Sequence, residues 1–113
     1  MKRSEVNNAI THAISFTKQL NFTLPPFAYW KSEDWDAKSS EYDEIGETGL
    51  GWDVTDFGYG DYSKYGFVAF TLRNGCFASE KYPKTYAEKI IVSLENQITP
   101  FHFHWSKMED IIN

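Results

Sequence analysis

The residues best suited to chemistry lie close together near the C-terminus of the chain. Two of the three histidines, His102 and His104, are separated by one residue. Side chains two apart on a strand project from the same face, so both imidazoles can reach one metal ion. Glu109 follows His104 by five residues, an offset that places it on the opposite face of a continuous strand. A turn at Trp105–Lys107 followed by a new antiparallel strand instead brings Glu109 round to face both histidines.

Two imidazoles and one carboxylate form a donor set that suits manganese, iron or zinc and leaves coordination positions for substrate oxygens. The alternative is a pair of strand histidines whose ring nitrogens are satisfied by hydrogen bonds. A bare His-x-His pattern does not separate these interpretations. The carboxylate at Glu109 and the strand–turn–strand context favour the metal site. His12 lies within a predicted helix with no second ligand nearby, and we interpret it as structural.

Two lysines, Lys107 and Lys89, are the candidate catalytic residues. A lysine beside a metal can hold or polarise a substrate oxygen. Lys89 lies on the more polar face of its predicted strand, which would be the lumen of a barrel. For both residues the alternative is an ordinary solvent-facing lysine. Cys76 has no histidine or basic neighbour in sequence that would activate it, and no role is assigned to it.

The elements before the site begin with an amphipathic helix, predicted over residues 4–20 with Ser4 as its N-cap. Ser32–Trp35 is typical of a short capped helical turn. Residues 33–61 hold ten of the sixteen carboxylates and a single lysine, Lys38. We interpret this segment as a solvated, turn-rich loop, because it lacks the ligand spacing of an EF-hand calcium site.

Alternation of apolar and polar residues predicts strands in the second half of the chain. The first is Phe67–Arg73, followed by a hairpin signal at Asn74-Gly75. The second is Lys89–Glu95, whose even positions form an apolar face. Gln97–His104 is a third extended run, and Met108–Ile112 begins a fourth. The pattern therefore predicts a single domain with a leading helix and an antiparallel all-β region.

Composition excludes several function classes. The chain has 113 residues, a net charge of −5 and only two arginines, so it has no basic surface for nucleic acid. It contains neither an apolar run of membrane-spanning length nor a signal peptide. One cysteine cannot form an internal disulfide. These features favour a cytoplasmic protein that binds neither nucleic acid nor membrane.

The pattern His102-x-His104-x4-Glu109 matches the first metal-binding motif of the cupin superfamily. Within that superfamily the chain resembles the bacterial D-lyxose isomerase family along most of its length. The resemblance is carried by the opening Met-Lys-Arg-Ser helix and by Leu24–Trp30, Glu33–Trp35, Gly51–Gly58, Tyr86–Lys89, Pro100–His104 and Lys107–Asn113.

The resemblance implies a mainly β fold, a cupin-type jelly-roll barrel preceded by the helix. It implies a divalent metal, manganese first and iron, cobalt or zinc as alternatives, held by His102, His104 and Glu109, with Lys89 and Lys107 lining the pocket. The implied reaction interconverts D-lyxose and D-xylulose, with D-mannose as a further candidate substrate. A proton moves between C1 and C2 through an enediol. The implied assembly is a homodimer.

The chain departs from the cupin pattern at two points. Asn96 replaces the glycine that precedes the first histidine of the general motif. The second cupin motif, which supplies a fourth ligand, has no counterpart, so we expect these residues to form the N-terminal part of an incomplete barrel. The rival hypothesis is a non-catalytic metal- or sugar-binding module or an inactive fragment.

Overall fold

The computed structural model describes residues 1–113 and contains one three-stranded antiparallel sheet with helices around it. The strands lie in the order β1-β2-β3, so β2 is central. The elements are α1 (Arg3–Gln19), α2 (Ser32–Asp36), α3 (Asp43–Glu47), β1 (Gly51–Thr55), β2 (Phe67–Arg73) and β3 (Glu88–Val92), with 3₁₀ turns at Pro26–Tyr29 and Ser40–Tyr42.

The long helix α1 packs through a row of small residues. Ala9, Ala13 and Thr17 are buried and follow one another at four-residue spacing, so they lie on one face. Ala13 contacts the buried Val68 of β2. Small side chains allow the helix to approach the sheet closely. The predicted helix is confirmed along almost its full length.

The predicted cap of α1 is wrong by two residues. The helix begins at Arg3, and Ser4 lies inside its first turn. The cap is a carboxylate: Glu5 accepts a 2.7 Å hydrogen bond from the backbone N–H of Lys2. Helix α2, predicted at Ser32–Trp35 and confirmed, begins in the same way, with Asp34 accepting from the backbone N–H three residues earlier.

The core of the molecule is centred on β2. Phe70 and Val68 are its largest fully buried side chains. Phe70 packs against Trp52 of β1 and Phe27, with ring centroids 4.8 and 5.2 Å away. Trp52 donates a 2.8 Å hydrogen bond from Nε1 to the backbone carbonyl of Ala28. That bond fastens the 3₁₀ turn to the sheet while the indole ring fills the core.

The acidic segment 33–61 is more structured than predicted, since α3 and β1 lie within it in addition to the predicted α2. β1 carries a short alternation, with Trp52 and Val54 apolar and Asp53 and Thr55 polar. It forms because each of its residues pairs with β2, from Gly51 opposite Thr71 to Thr55 opposite Phe67. The turn prediction is correct after β1, where the Asp56 carboxylate accepts hydrogen bonds from the following backbone N–H groups.

The hairpin predicted at Asn74-Gly75 is wrong. β2 and β3 are antiparallel neighbours, but residues 74–87 connect them. The Asn74 side-chain amide donates to the carbonyl of Thr48, at the end of α3. Gly75 lies so close to the backbone of Lys84 that a Cβ there would collide with its carbonyl. Glycine is therefore required at this position by a close chain crossing.

The strands predicted at Gln97–His104 and Met108–Ile112 do not form, and β3 ends earlier than predicted, at Val92. Ile98 makes one isolated parallel bridge to Tyr65. Residues 101–113 are exposed throughout and have no strand partner. The sheet is compatible with part of a β-barrel, and the jelly roll stays a prediction.

Candidate metal centre

Three predicted ligands come together near the C-terminus of the chain. The ligand atoms of His102, His104 and Glu109 all lie within 4.8 Å of one another. Nε2 of His104 is 3.1 Å from Oε2 of Glu109. The backbone bends at Trp105 and Ser106, where the sequence predicts a turn. The turn therefore brings the carboxylate to the imidazoles although neither flanking strand forms.

A backbone contact orients the His102 ring. Its Nδ1 lies 3.0 Å from the carbonyl oxygen of Pro100. A carbonyl oxygen only accepts, so this contact requires the proton on Nδ1 and leaves the Nε2 lone pair free. A second hydrogen bond of this kind commonly fixes the tautomer of a metal-binding histidine. The sequence gives no signal for this contact, because the acceptor belongs to the main chain.

The Glu109 carboxylate is shared between two neighbours. Lys107 donates from Nζ to Oε1 at 2.8 Å, while Oε2 faces His104. The hydrogen bond from Lys107 lowers the pKa of Glu109 below its usual value, and His104 acts in the same direction. Glu109 is therefore ionised over a wider pH range than an ordinary glutamate, as a ligand for a cation must be.

The donor set fits a divalent transition metal in chemistry and nearly in spacing. Ligand atoms about 2.1 Å from one ion can be at most about 4.2 Å apart. The pair formed by His104 and Glu109 already meets that limit. The widest pair must close by roughly half an ångström, which side-chain rotation in an exposed segment can supply.

The two candidate lysines are placed differently. Lys107 belongs to the cluster through its ion pair with Glu109. Lys89 lies on β3 opposite Thr71 with an exposed side chain, and it is not among the residues brought together at the cluster. His12, interpreted as structural, lies on α1 and stacks on Phe16, with ring centroids 6.3 Å apart.

Comparison with known proteins identifies the class to which this fold and cluster belong. Residues 1–113 match the D-lyxose isomerase family. The chain is 44% identical over 114 aligned positions to the D-lyxose/D-mannose isomerase of Escherichia coli O157:H7, and equally to that of Serratia proteamaculans. These alignments cover 100% of the chain and 50% of each relative. The chain therefore belongs to the D-lyxose isomerase family and spans about half the length of the curated relatives it matches.

None of the helices is both long enough and apolar enough to cross a bilayer.

Proposed function

We propose that this chain carries metal ligands of an aldose–ketose isomerase that interconverts D-lyxose and D-xylulose and also accepts D-mannose. The convergence of His102, His104 and Glu109 carries the proposal, because it joins a metal-type donor set to membership of this family. The relatives named D-lyxose/D-mannose isomerase support the choice of sugars.

The reaction defines what the site must do. One proton leaves C2 of the aldose and is delivered to C1, and a second moves from the hydroxyl at C2 to the oxygen at C1. A divalent ion, when bound, polarises these two oxygens and lowers the cost of the enediol. His102, His104 and Glu109 would hold that ion. Manganese is our first choice, and iron, cobalt and zinc suit the same ligands.

Lys107 has the best position for a second role. Its ammonium already lies against Oε1 of Glu109, at the edge of the cluster. From there it keeps the other carboxylate oxygen turned towards His104 and presents further N–H donors to a sugar oxygen. Lys89 is retained as a second candidate, and for it the proposal requires an approach to the cluster from β3.

Conversion of D-lyxose by the manganese-loaded chain is the direct test. Product would be measured as D-xylulose, with His102→Ala and His12→Ala compared at equal concentration. We expect manganese binding to be lost in His102→Ala and kept in His12→Ala, and any D-xylulose formed to follow the same pattern. Equal manganese binding in both variants would contradict the assignment of the site.

A second candidate function is a non-catalytic metal- or sugar-binding module. The exposure of the whole cluster favours it, because catalysis of proton transfer gains from a water-excluded pocket. Metal binding that is lost in His102→Ala, without any product from D-lyxose, would support this alternative. Light scattering would measure whether two copies assemble, as the homodimer proposal requires.

A further inference from the structure

Three aromatic side chains in the first half of the chain form an open box, about 60 residues or more before the candidate metal ligands in sequence. Trp30 makes edge-to-face contacts with Trp35 and Tyr42, at centroid distances of 5.0 and 5.4 Å. The interplanar angles are 82° and 78°, so the rings stand as walls at right angles. Trp35 and Tyr42 are 40% and 38% exposed, so this aromatic box faces solvent.

The aromatic box holds a cation. Nζ of Lys38 lies 4.1 Å from the centre of the Trp30 ring and 5.3 Å from that of Tyr42. Lys38 takes part in none of the ion pairs of the chain. The only lysine of the acidic segment 33–61 is therefore placed on aromatic faces although carboxylates are abundant around it. The negative faces of the rings account for this position.

A cleft of about 380 Å³ adjoins the aromatic box. It is lined by Trp35 and Tyr42 of the box, by Lys38, and by the carboxylates of Asp43 and Glu47. Neither carboxylate belongs to an ion pair, whereas Glu44 is paired with Lys84. The cleft thus places unpaired negative charge beside a site that already accommodates an ammonium group.

Lys81 is a neighbouring cation that interacts with the same two carboxylates, Glu47 and Asp43. Its pKa is raised, first by a hydrogen bond with Tyr82 and further by Glu47 and Asp43. Its side chain is exposed and lies over the Tyr82 ring, 5.4 Å from the centroid. The two carboxylates therefore act on a cation at their margin and remain open on the side of the cleft.

We propose that the aromatic box and its cleft bind a linear aliphatic polyamine, and that Lys38 is a tethered stand-in for one of its ammonium groups. One ammonium takes the place of Nζ between Trp30 and Tyr42. A second, a few carbons along, meets Asp43 and Glu47 in the cleft. A neutral sugar could stack on the same rings and donate hydroxyl hydrogen bonds to the carboxylates, but unlike a polyamine it brings no positive charge to neutralise theirs.

Exchange of Lys38 for a free ligand is energetically easy. A cation–π contact at an exposed position contributes about 0.5–1 kcal/mol, which corresponds to a two- to five-fold change in affinity. Occupancy by Lys38 therefore weakens the binding of a competing amine by about that factor. Removal of the lysine ammonium should therefore raise the affinity for a free amine by the same factor.

Titration with spermidine at low ionic strength tests the proposal, with the indole N–H resonances of Trp30 and Trp35 as readout in the whole chain. Lys38→Gln should tighten binding about two- to five-fold. Lys31→Gln removes an equal charge just before α2 and should change the affinity by less than about two-fold. Tyr42→Leu should weaken binding, while Tyr42→Phe, which keeps the ring face, should preserve it.

Two outcomes would overturn the proposal. If Lys38→Gln and Lys31→Gln tighten binding equally, or Tyr42→Leu binds as well as Tyr42→Phe, spermidine is attracted by general charge and the aromatic box only fastens α2. If D-lyxose shifts the same indole resonances in Lys38→Gln and spermidine does not, the box is a platform for neutral sugars. Circular dichroism of each variant verifies that the fold is kept.

Discussion

The helix–sheet region, residues 3–92, and the C-terminal segment, residues 101–113, are held together by different kinds of contact. In the first, side chains far apart in sequence meet in one core, as Phe27, Trp52 and Phe70 do. In the second, the contacts that shape the cluster join residues no more than five positions apart, such as His104 and Glu109. Every residue of this segment is exposed.

The difference teaches that a set of candidate metal ligands can be brought together by local geometry alone. A bend at Trp105 and Ser106, a hydrogen bond from His102 to Pro100 and one ion pair are sufficient to gather three donors within 4.8 Å. With local contacts alone, however, the widest distance between the donor atoms is slightly too large for one ion. Shortening that distance requires either the ion itself or additional packing.

The largest difference between the regions should appear in the free energy of unfolding when one phenylalanine is removed from each. Phe70→Ala empties a fully buried core position and should lower the free energy of unfolding by about 3–5 kcal/mol. Phe101→Ala removes an exposed ring and should change it by no more than about 0.5 kcal/mol. Urea unfolding followed by circular dichroism measures both. A comparable loss in Phe101→Ala would show that the C-terminal segment is packed after all.

An intermediate effect should come from adding metal. A bound ion should order the C-terminal segment and so reduce the difference in hydrogen-exchange rate between the two regions. Hydrogen exchange of the C-terminal segment should slow by up to about tenfold when manganese is present at ten times its dissociation constant. Exchange in β2 should not change, because none of the candidate ligands lies on it. Mass spectrometry of the two peptides measures this. Slowing that persists in His102→Ala would place the ion elsewhere.

The smallest effect concerns the titration of Glu109. Lys107→Gln removes the main cause of its lowered pKa, so the pKa should rise towards the ordinary value. The stability linked to a lowered carboxyl pKa is present above the unfolded-state pKa and is lost as the pH falls through the folded-state pKa. Because Glu109 is exposed, carboxyl NMR is a better measurement than unfolding. Lys89→Gln is the matched control and should leave the titration unchanged.

The sequence predicts well where one segment determines its own structure. β2 is found at the predicted Phe67–Arg73, since a central strand carries a strong apolar pattern. α1 begins one residue before its predicted start, because the Glu5 carboxylate accepts from the backbone N–H of Lys2 and this contact replaces the predicted cap at Ser4. The gathering of His102, His104 and Glu109 is likewise local, and the predicted turn is enough to produce it.

Prediction fails where the structure depends on a distant partner. β1 alternates over only four residues, Trp52–Thr55, within a segment rich in glycine and carboxylates, so its pairing with β2 is what makes it a strand. Gln97–His104 alternates like a strand but has no neighbour to pair with along its length. Asn74-Gly75 has the composition of a tight turn, yet its glycine serves a crossing with Lys84. The aromatic box joins Trp35 of α2 and Tyr42 of the second 3₁₀ turn to Trp30, which follows the first 3₁₀ turn, and no linear motif describes it.

The bend that assembles the candidate metal centre has a consequence for proteolysis. The peptide bond between Lys107 and Met108 lies in exposed, irregular chain, the kind of backbone that trypsin can enter. His102 and His104 lie on one side of that bond and Glu109 on the other. A single cut would thus divide the three candidate ligands between two fragments, and an ion bound by all three residues should protect this peptide bond from cleavage.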